Sequence, residues 1–190
     1  MTGSCAKATA HGVAIALSIE AGPHAGLTRP EILRRVRAMI KLLQLDKAEV
    51  SFVLTNDERI HQLNKIYRGK DRPTDVLAFA MHEGEFGALA GHVLGDVIVS
   101  VPTARKQAEA HQKSVLEEVT MLLAHGLLHL LGWDHDTDAK DRRMRAETDR
   151  LCAAAFGPSS RTTRSKGAAD KGLSRKRTPA STRRPRKKPQ

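Results

Sequence analysis

Aromatic side chains are scarce: four Phe, one Tyr and one Trp make up 3% of the 190 residues. Base recognition by stacking platforms is therefore not an obvious feature of this chain. Cysteine is scarcer still. Cys5 and Cys152 stand at opposite ends of the foldable part and match neither a disulfide framework nor a CxxC metal clip, which points to a reducing cytoplasm. Long apolar runs are missing too, since no segment reaches the roughly 18 residues of a membrane span. The apolar stretch nearest the start, Val13 to Ile19, gives way at once to Glu20 and reads as a strand rather than a signal peptide. A cytoplasmic protein with no membrane segment is expected.

Acidic residues are nearly absent from one region only. Residues 157–190 hold twelve of the 32 Lys and Arg but only one of the 21 acids, Asp170, and so carry the whole formal net charge of +11. Residues 1–156 balance at 20 against 20. General attraction to a polyanion thus belongs to the tail. That tail is mostly Arg, Lys, Ser, Thr, Pro and Gly with a single leucine, too little apolar surface to offset the entropy of ordering it. The expected organisation is one domain at 12–156 and a basic, disordered extension at 157–190. The extension is either a plain solvated tail or an arm that binds RNA through counterion release.

Within the domain, strands and helices interleave. Val13 to Ile19 reads as a strand closed by Gly22-Pro23. Thr28 reads as a helix N-cap, with Pro30 in the first turn, Glu31 completing a capping box, and a stripe through Ile32, Val36, Ile40, Leu43 and Leu45. Glu49 to Leu54 is a second strand, followed by a helix capped by Asn56 or Asp57 and running through Ile60, Leu63, Ile66 and Tyr67. A charged loop, Arg68 to Pro73, leads to strands at 75–80 and 93–99, which are joined by a loop from His82 to His92. Three more helices are expected: Thr103 to about His111, Ser114 (with Glu117 three residues on) to Gly132, and one capped by Asp138 that ends at Gly157-Pro158. The pattern predicts an α+β domain, with a small, mixed, mostly parallel four-stranded sheet flanked by about five helices.

The chemistry concentrates in one helix. Met121 to Leu131 is apolar around its whole circumference except for His125 and His129, the mark of a buried central helix. Four residues apart, the two imidazoles project side by side, and left unsatisfied they would cost roughly 1–3 kcal/mol each. Gly132 lets the chain turn back so that His135 can complete a set of three. Three protein nitrogens with one open position is the arrangement of a catalytic zinc site. Neutral ligands leave the ion's charge uncompensated and suited to an anionic substrate. The plainer reading, core histidines bonded to carbonyls, suits a lone histidine better than three with a turn glycine. Asp134 and Asp136 flank His135, either as acceptors that orient a ligand ring or as a solvated loop acid and a helix cap.

The spacing H-x3-H-x2-G-x2-H is shared with the metzincin proteases, which carry a catalytic Glu directly after the first His. Here that place holds Gly126. Glu118 lies two helical turns away, and Met144, which could imitate a Met-turn, reads first as a core residue.

The run His125-Gly126-Leu127-Leu128-His129-Leu130-Leu131-Gly132-Trp133-Asp134-His135 resembles the signature of the YbeY family of endoribonucleases. The segments Leu63 to Phe79 and Leu94 to Ser100 are similar to the family's other two recurring blocks, so the likeness covers roughly residues 12–155. The resemblance implies one Zn²⁺ per chain at His125, His129 and His135. It also implies cleavage of single-stranded RNA in 16S ribosomal RNA maturation and ribosome quality control, with the small ribosomal subunit as partner, and a functional arginine that falls by position on Arg68. A guanidinium beside the metal suits a phosphodiester, and Lys70 and Arg72 could add pull. Ala78 and Ala80 depart from the Ser and Pro common in the family. Two other readings stay open: a non-catalytic, zinc-braced assembly factor that binds ribosomal RNA, and, ranked lowest, a metalloprotease.

Overall fold

The structure is a computed structural model that describes residues 8–10, 12–82 and 90–157, with side chains from residue 12 onward. The basic tail, apart from Gly157, and most of the His82 to His92 loop lie outside the described residues. In chain order the elements are β1 (Ala8–Ala10), β2 (Val13–Ile19), α1 (Arg29–Leu42), β3 (Glu49–Thr55), α2 (Asp57–Arg68), β4 (Val76–Ala80), β5 (Val93–Ser100), α3 (Val101–Ala110), α4 (Val115–Leu130) and α5 (Asp138–Phe156). The expected α+β class, the four expected strands and the five helices are all present. One addition is β1, which pairs antiparallel with β2 at the margin of the sheet. Its sequence, Ala-Thr-Ala, is too short to show a strand period, so only its pairing marks it as a strand.

The sheet runs β1-β2-β3-β5-β4. β2, β3 and β5 are mutually parallel, and β4 lies antiparallel on β5 at the edge. Alternation along the strands separates two faces. Ile15, Leu17, Phe52, Leu54, Val97 and Val99 enter the main core, against Ile32 and Val36 of α1, Leu123 and Leu127 of α4, and Met144 and Leu151 of α5. Leu77 and Ile98 point the other way and meet Ile60 of α2, with Leu63 and Phe79 packed beside them. Helix α2 therefore covers the face opposite α1, α4 and α5.

Helix starts differ in detail from the sequence pattern. Asn56 caps α2 by accepting from the Arg59 N–H at 2.9 Å, and Ser114 with Glu117 forms the full capping box of α4. Thr28 precedes α1 but makes no side-chain cap. Glu31 is drawn instead to Arg34 and Arg35, at 2.7 and 3.0 Å, and its carboxyl falls to about 2, chiefly through Arg34. Two guanidiniums outcompete one backbone N–H for that carboxylate. Helix α3 begins at Val101, capped by Ser100 rather than entered at Thr103. The cap of α5 is Thr137, which accepts from the Lys140 N–H, while Asp138 sits one residue inside, where its charge favours the helix N-terminus.

Helix α4 packs closely on the sheet at one point. A Cβ on Gly126 would lie 2.4 Å from Cγ1 of Val97, 3.2 Å from its Cγ2 and 3.3 Å from Cγ2 of Val76. Val97 is fully buried and β-branched, so rotating it exchanges one offending methyl for another. Overpacking of roughly 1–3 kcal/mol exceeds the ~1 kcal/mol of helix propensity that alanine offers over glycine. Gly126→Ala is expected to lower stability by up to about 2 kcal/mol net, read as a lower denaturant midpoint at unchanged slope. An unchanged or higher midpoint would mean that α4 can move outward without cost.

Candidate active site

His125 and His129 are half-buried on one side of α4, on successive turns. The helix then ends in a Schellman arrangement. Gly132, at φ +79°, donates its N–H to the His129 carbonyl at 2.9 Å, and the Trp133 N–H reaches the Leu128 carbonyl at 3.1 Å. This reversal carries His135 back to the other two rings. Its ring centroid lies 5.7 Å from that of His125 and 5.3 Å from that of His129, while the latter two are 4.8 Å apart.

The Nε2 atoms of His125 and His129 face each other at 3.2 Å, and one nitrogen from each of the three rings lies within 4.8 Å of the others. Two nitrogens on one tetrahedral zinc, with bonds of about 2.0–2.1 Å, stand roughly 3.3 Å apart. The donor set thus fits a small divalent cation in spacing and chemistry. Burial is the main influence that lowers the His125 pKa, to about 4, with repulsion from His129 and His135 behind it. His129 is lowered chiefly by burial and then by His135, with Arg68 acting in the same direction. Neutral imidazoles are the form that ligates a metal.

The three rings open into a cleft of about 820 Å³ that Arg68, Lys70 and Arg72 also line. Arg68 comes from the last turn of α2, on the other face of the sheet, and reaches over the edge strand β4. Its Nη2 donates to the Ala78 carbonyl at 2.8 Å, and its guanidinium stands 5.7 Å from the Phe79 ring centre. Among the described residues no carboxylate pairs with Arg68, Lys70 or Arg72. The sequence pattern alone did not bring Arg68 to the histidines, because it does not say on which face α2 packs.

The loop between α2 and β4 is tied down by residues that carried no role in the sequence pattern. Asn64, buried within α2, donates from Nδ2 to the Arg72 carbonyl at 2.8 Å. Asp71 binds His61 and Lys65 of α2, each at 2.7 Å. The acids lining the cleft are engaged as well. Asp75 accepts from the Val76 N–H at 2.9 Å, the Thr74 hydroxyl at 3.1 Å and Gln107 at 2.9 Å. Asp134 accepts from the His135 N–H at 2.7 Å, and outside the lining Asp136 pairs with Lys140 at 2.8 Å; neither caps a helix, a place that Thr137 takes. Glu118 is buried further along α4, with His111 at 3.6 Å, and Met144 is in the core. An asparagine on the inner face of an amphipathic helix, costly there without a partner, was the one legible signal among them.

Residues 26–155 match the family model described as Endoribonuclease YbeY, a span that takes in all four candidate site residues and leaves out the tail. The chain belongs to the endoribonuclease YbeY family. Family relatives named Endoribonuclease YbeY include those of Heliobacterium modesticaldum, 48% identical over 115 residues (56% of this chain, 69% of the relative), and Geobacillus kaustophilus, 46% identical over 114 residues (57% and 73%). Another, from Brevibacillus brevis, is 41% identical over 131 residues (63% and 82%). A Thermotoga maritima protein solved in solution shares the fold, with a TM-score of 0.54 and 23% identity over 80% of this chain and 99% of its own.

The His125 environment has a consequence for the metal-free form. An ordinary histidine takes up a proton near 6.5, whereas folded His125 holds off until about 4. Between those values the unfolded chain binds the extra proton, so the associated stability is complete above about 6.5 and is lost as pH falls toward about 4. Denaturant midpoints of metal-stripped protein should decline across that window, and those of His125→Gln should decline less. Equal slopes in the two proteins would refute the assignment.

Proposed function

We propose that this chain is a zinc-dependent endoribonuclease that cuts single-stranded RNA, with the ion held by His125, His129 and His135 and the scissile phosphate held by Arg68. The observation that carries this reading is the convergence of three imidazoles in a cleft also lined by an arginine that, among the described residues, pairs with no carboxylate. Bound there, Zn²⁺ would supply a Lewis-acidic, doubly positive centre for a phosphodiester. Arg68, anchored through one nitrogen on the Ala78 carbonyl, keeps other N–H groups for phosphoryl oxygens. It stabilises the charge that gathers on them as phosphorus is attacked. Lys70 and Arg72 draw the RNA backbone into the same cleft.

Membership of the family supports a place in 16S ribosomal RNA maturation and ribosome quality control, in the cytoplasm, on the small ribosomal subunit. Among the described residues no helix is long and apolar enough to cross a membrane. In this reading 12–156 is the cutting domain, and the basic residues of 157–190 form an arm that adds affinity for RNA. A peptidase would need a carboxylate beside His125, and position 126 faces Val97 with no space for one.

His129→Ala should lose both bound zinc and RNA cleavage. Arg68→Ala should keep its zinc and fold while kcat falls by roughly 10²–10³. Undiminished cutting by metal-free His129→Ala would refute the zinc reading. Wild-type protein that binds RNA but never cuts it, even in large excess, would be a non-catalytic assembly factor instead.

The arm has its own measurement. A chain ending at Gly157 should bind single-stranded RNA more weakly, with a shallower dependence of log affinity on log salt, and should turn over bound substrate at the same rate. An unchanged salt slope would assign the tail no part in RNA binding.

A further inference from the structure

We propose that Trp133 is the platform on which the base adjoining the scissile phosphate stacks, so that this one indole selects unpaired RNA. The inference rests on the RNA-cleaving reading above. Among the described residues four large apolar side chains are exposed: Ile66, Tyr67, Met81 and Trp133. Of these only Trp133 lines the cleft, and it does so with 37% of its surface open. The same lining carries exposed Arg68, Lys70, Arg72 and Asp134, and its apolar members Val76, Leu77 and Ala78 are buried or half-buried. The indole is thus left partly to water within a cleft otherwise suited to a charged backbone.

The backbone that carries the indole is tied on both sides. The Trp133 N–H is bonded to the Leu128 carbonyl at the end of α4, and two residues on, the His135 N–H is held by Asp134. A phosphate lodged between Arg68 and the three imidazoles brings its own nucleosides into this cleft, whose 820 Å³ is ample for them. A base stacks on an aromatic face only when that face of the base is bare. In a duplex both faces are covered by neighbouring pairs, so an RNA helix cannot make this contact without unstacking. Stacking tolerates every base and favours those with larger faces, so purines next to the cut should be held better than pyrimidines.

Trp133 is the sole tryptophan of the chain, so its fluorescence reports from this place alone. Zinc-loaded full-length protein would be titrated with a short 2′-O-methyl RNA and with the same oligonucleotide made abasic at its central positions, with binding followed separately by anisotropy. The expected result is quenching of the indole by the intact strand. With the abasic strand there should be little quenching and about 5- to 100-fold weaker binding. Trp133→Leu should raise KM for a cleavable single strand with zinc content unchanged, and Trp133→Phe should restore most of it. Intact strand that binds without altering the indole emission would overturn the inference and leave the nuclease reading standing. Failure of both strands to bind would overturn both readings.

Discussion

The close approach of α4 to the sheet at Gly126 sets where the histidines of the cleft stand. A helix that is apolar on all sides has to be covered on all sides, and here it is enclosed by β4, β5, α1, α3 and α5. Contact with Val97 and Val76 needs a residue without a Cβ at that point. With the helix seated so deeply, His125 and His129 emerge half-buried at the margin of the core. Burial strips them of water, lowers their proton affinity and leaves them as neutral nitrogen donors at neutral pH. The same glycine takes the place that a peptidase gives to its general base. Packing and chemistry are settled at one position.

The edge of the sheet supplies the second half of the site. A β-strand at an edge has backbone groups without a strand partner, and the Ala78 carbonyl of β4 is satisfied by Arg68. That bond brings a side chain from one face of the sheet round to meet histidines that belong to the other. The domain balances its charges overall, yet the cleft wall keeps three bases whose charge no carboxylate offsets among the described residues. Nearby acids are committed elsewhere: Asp71 to His61 and Lys65, Asp136 to Lys140, and Asp75 to Val76, Thr74 and Gln107. Local commitment of the acids, rather than net charge, keeps this wall positive.

Much of this was legible in the sequence where the governing physics is local. The 3.6-residue period placed His125 and His129 on one face of one helix, and Gly132 marked the turn that follows them. The polar side chains at 56 and 114 announced their helices because each cap is closed within three residues. At Thr28 the same rule failed: its side chain caps no N–H, and the Glu31 carboxylate that would have closed the box is held by Arg34 and Arg35. At Asp138 it misplaced the cap by one residue, because Thr137 and Asp138 are both competent and only the backbone decides between them.

The sequence by itself determined which side chains share a helix face, how the helix carrying them stops, and where the net positive charge resides, because each depends on neighbours a few residues apart. Only the tertiary structure decided that α2 packs on the opposite face of the sheet, that Arg68 crosses the edge strand, and that Trp133 is left bare in the cleft. Those outcomes follow from strand order and from which face each helix covers. That residues as far apart in the chain as 68 and 129 line one cleft reflects the burial of a whole core, and no short stretch of sequence encodes that.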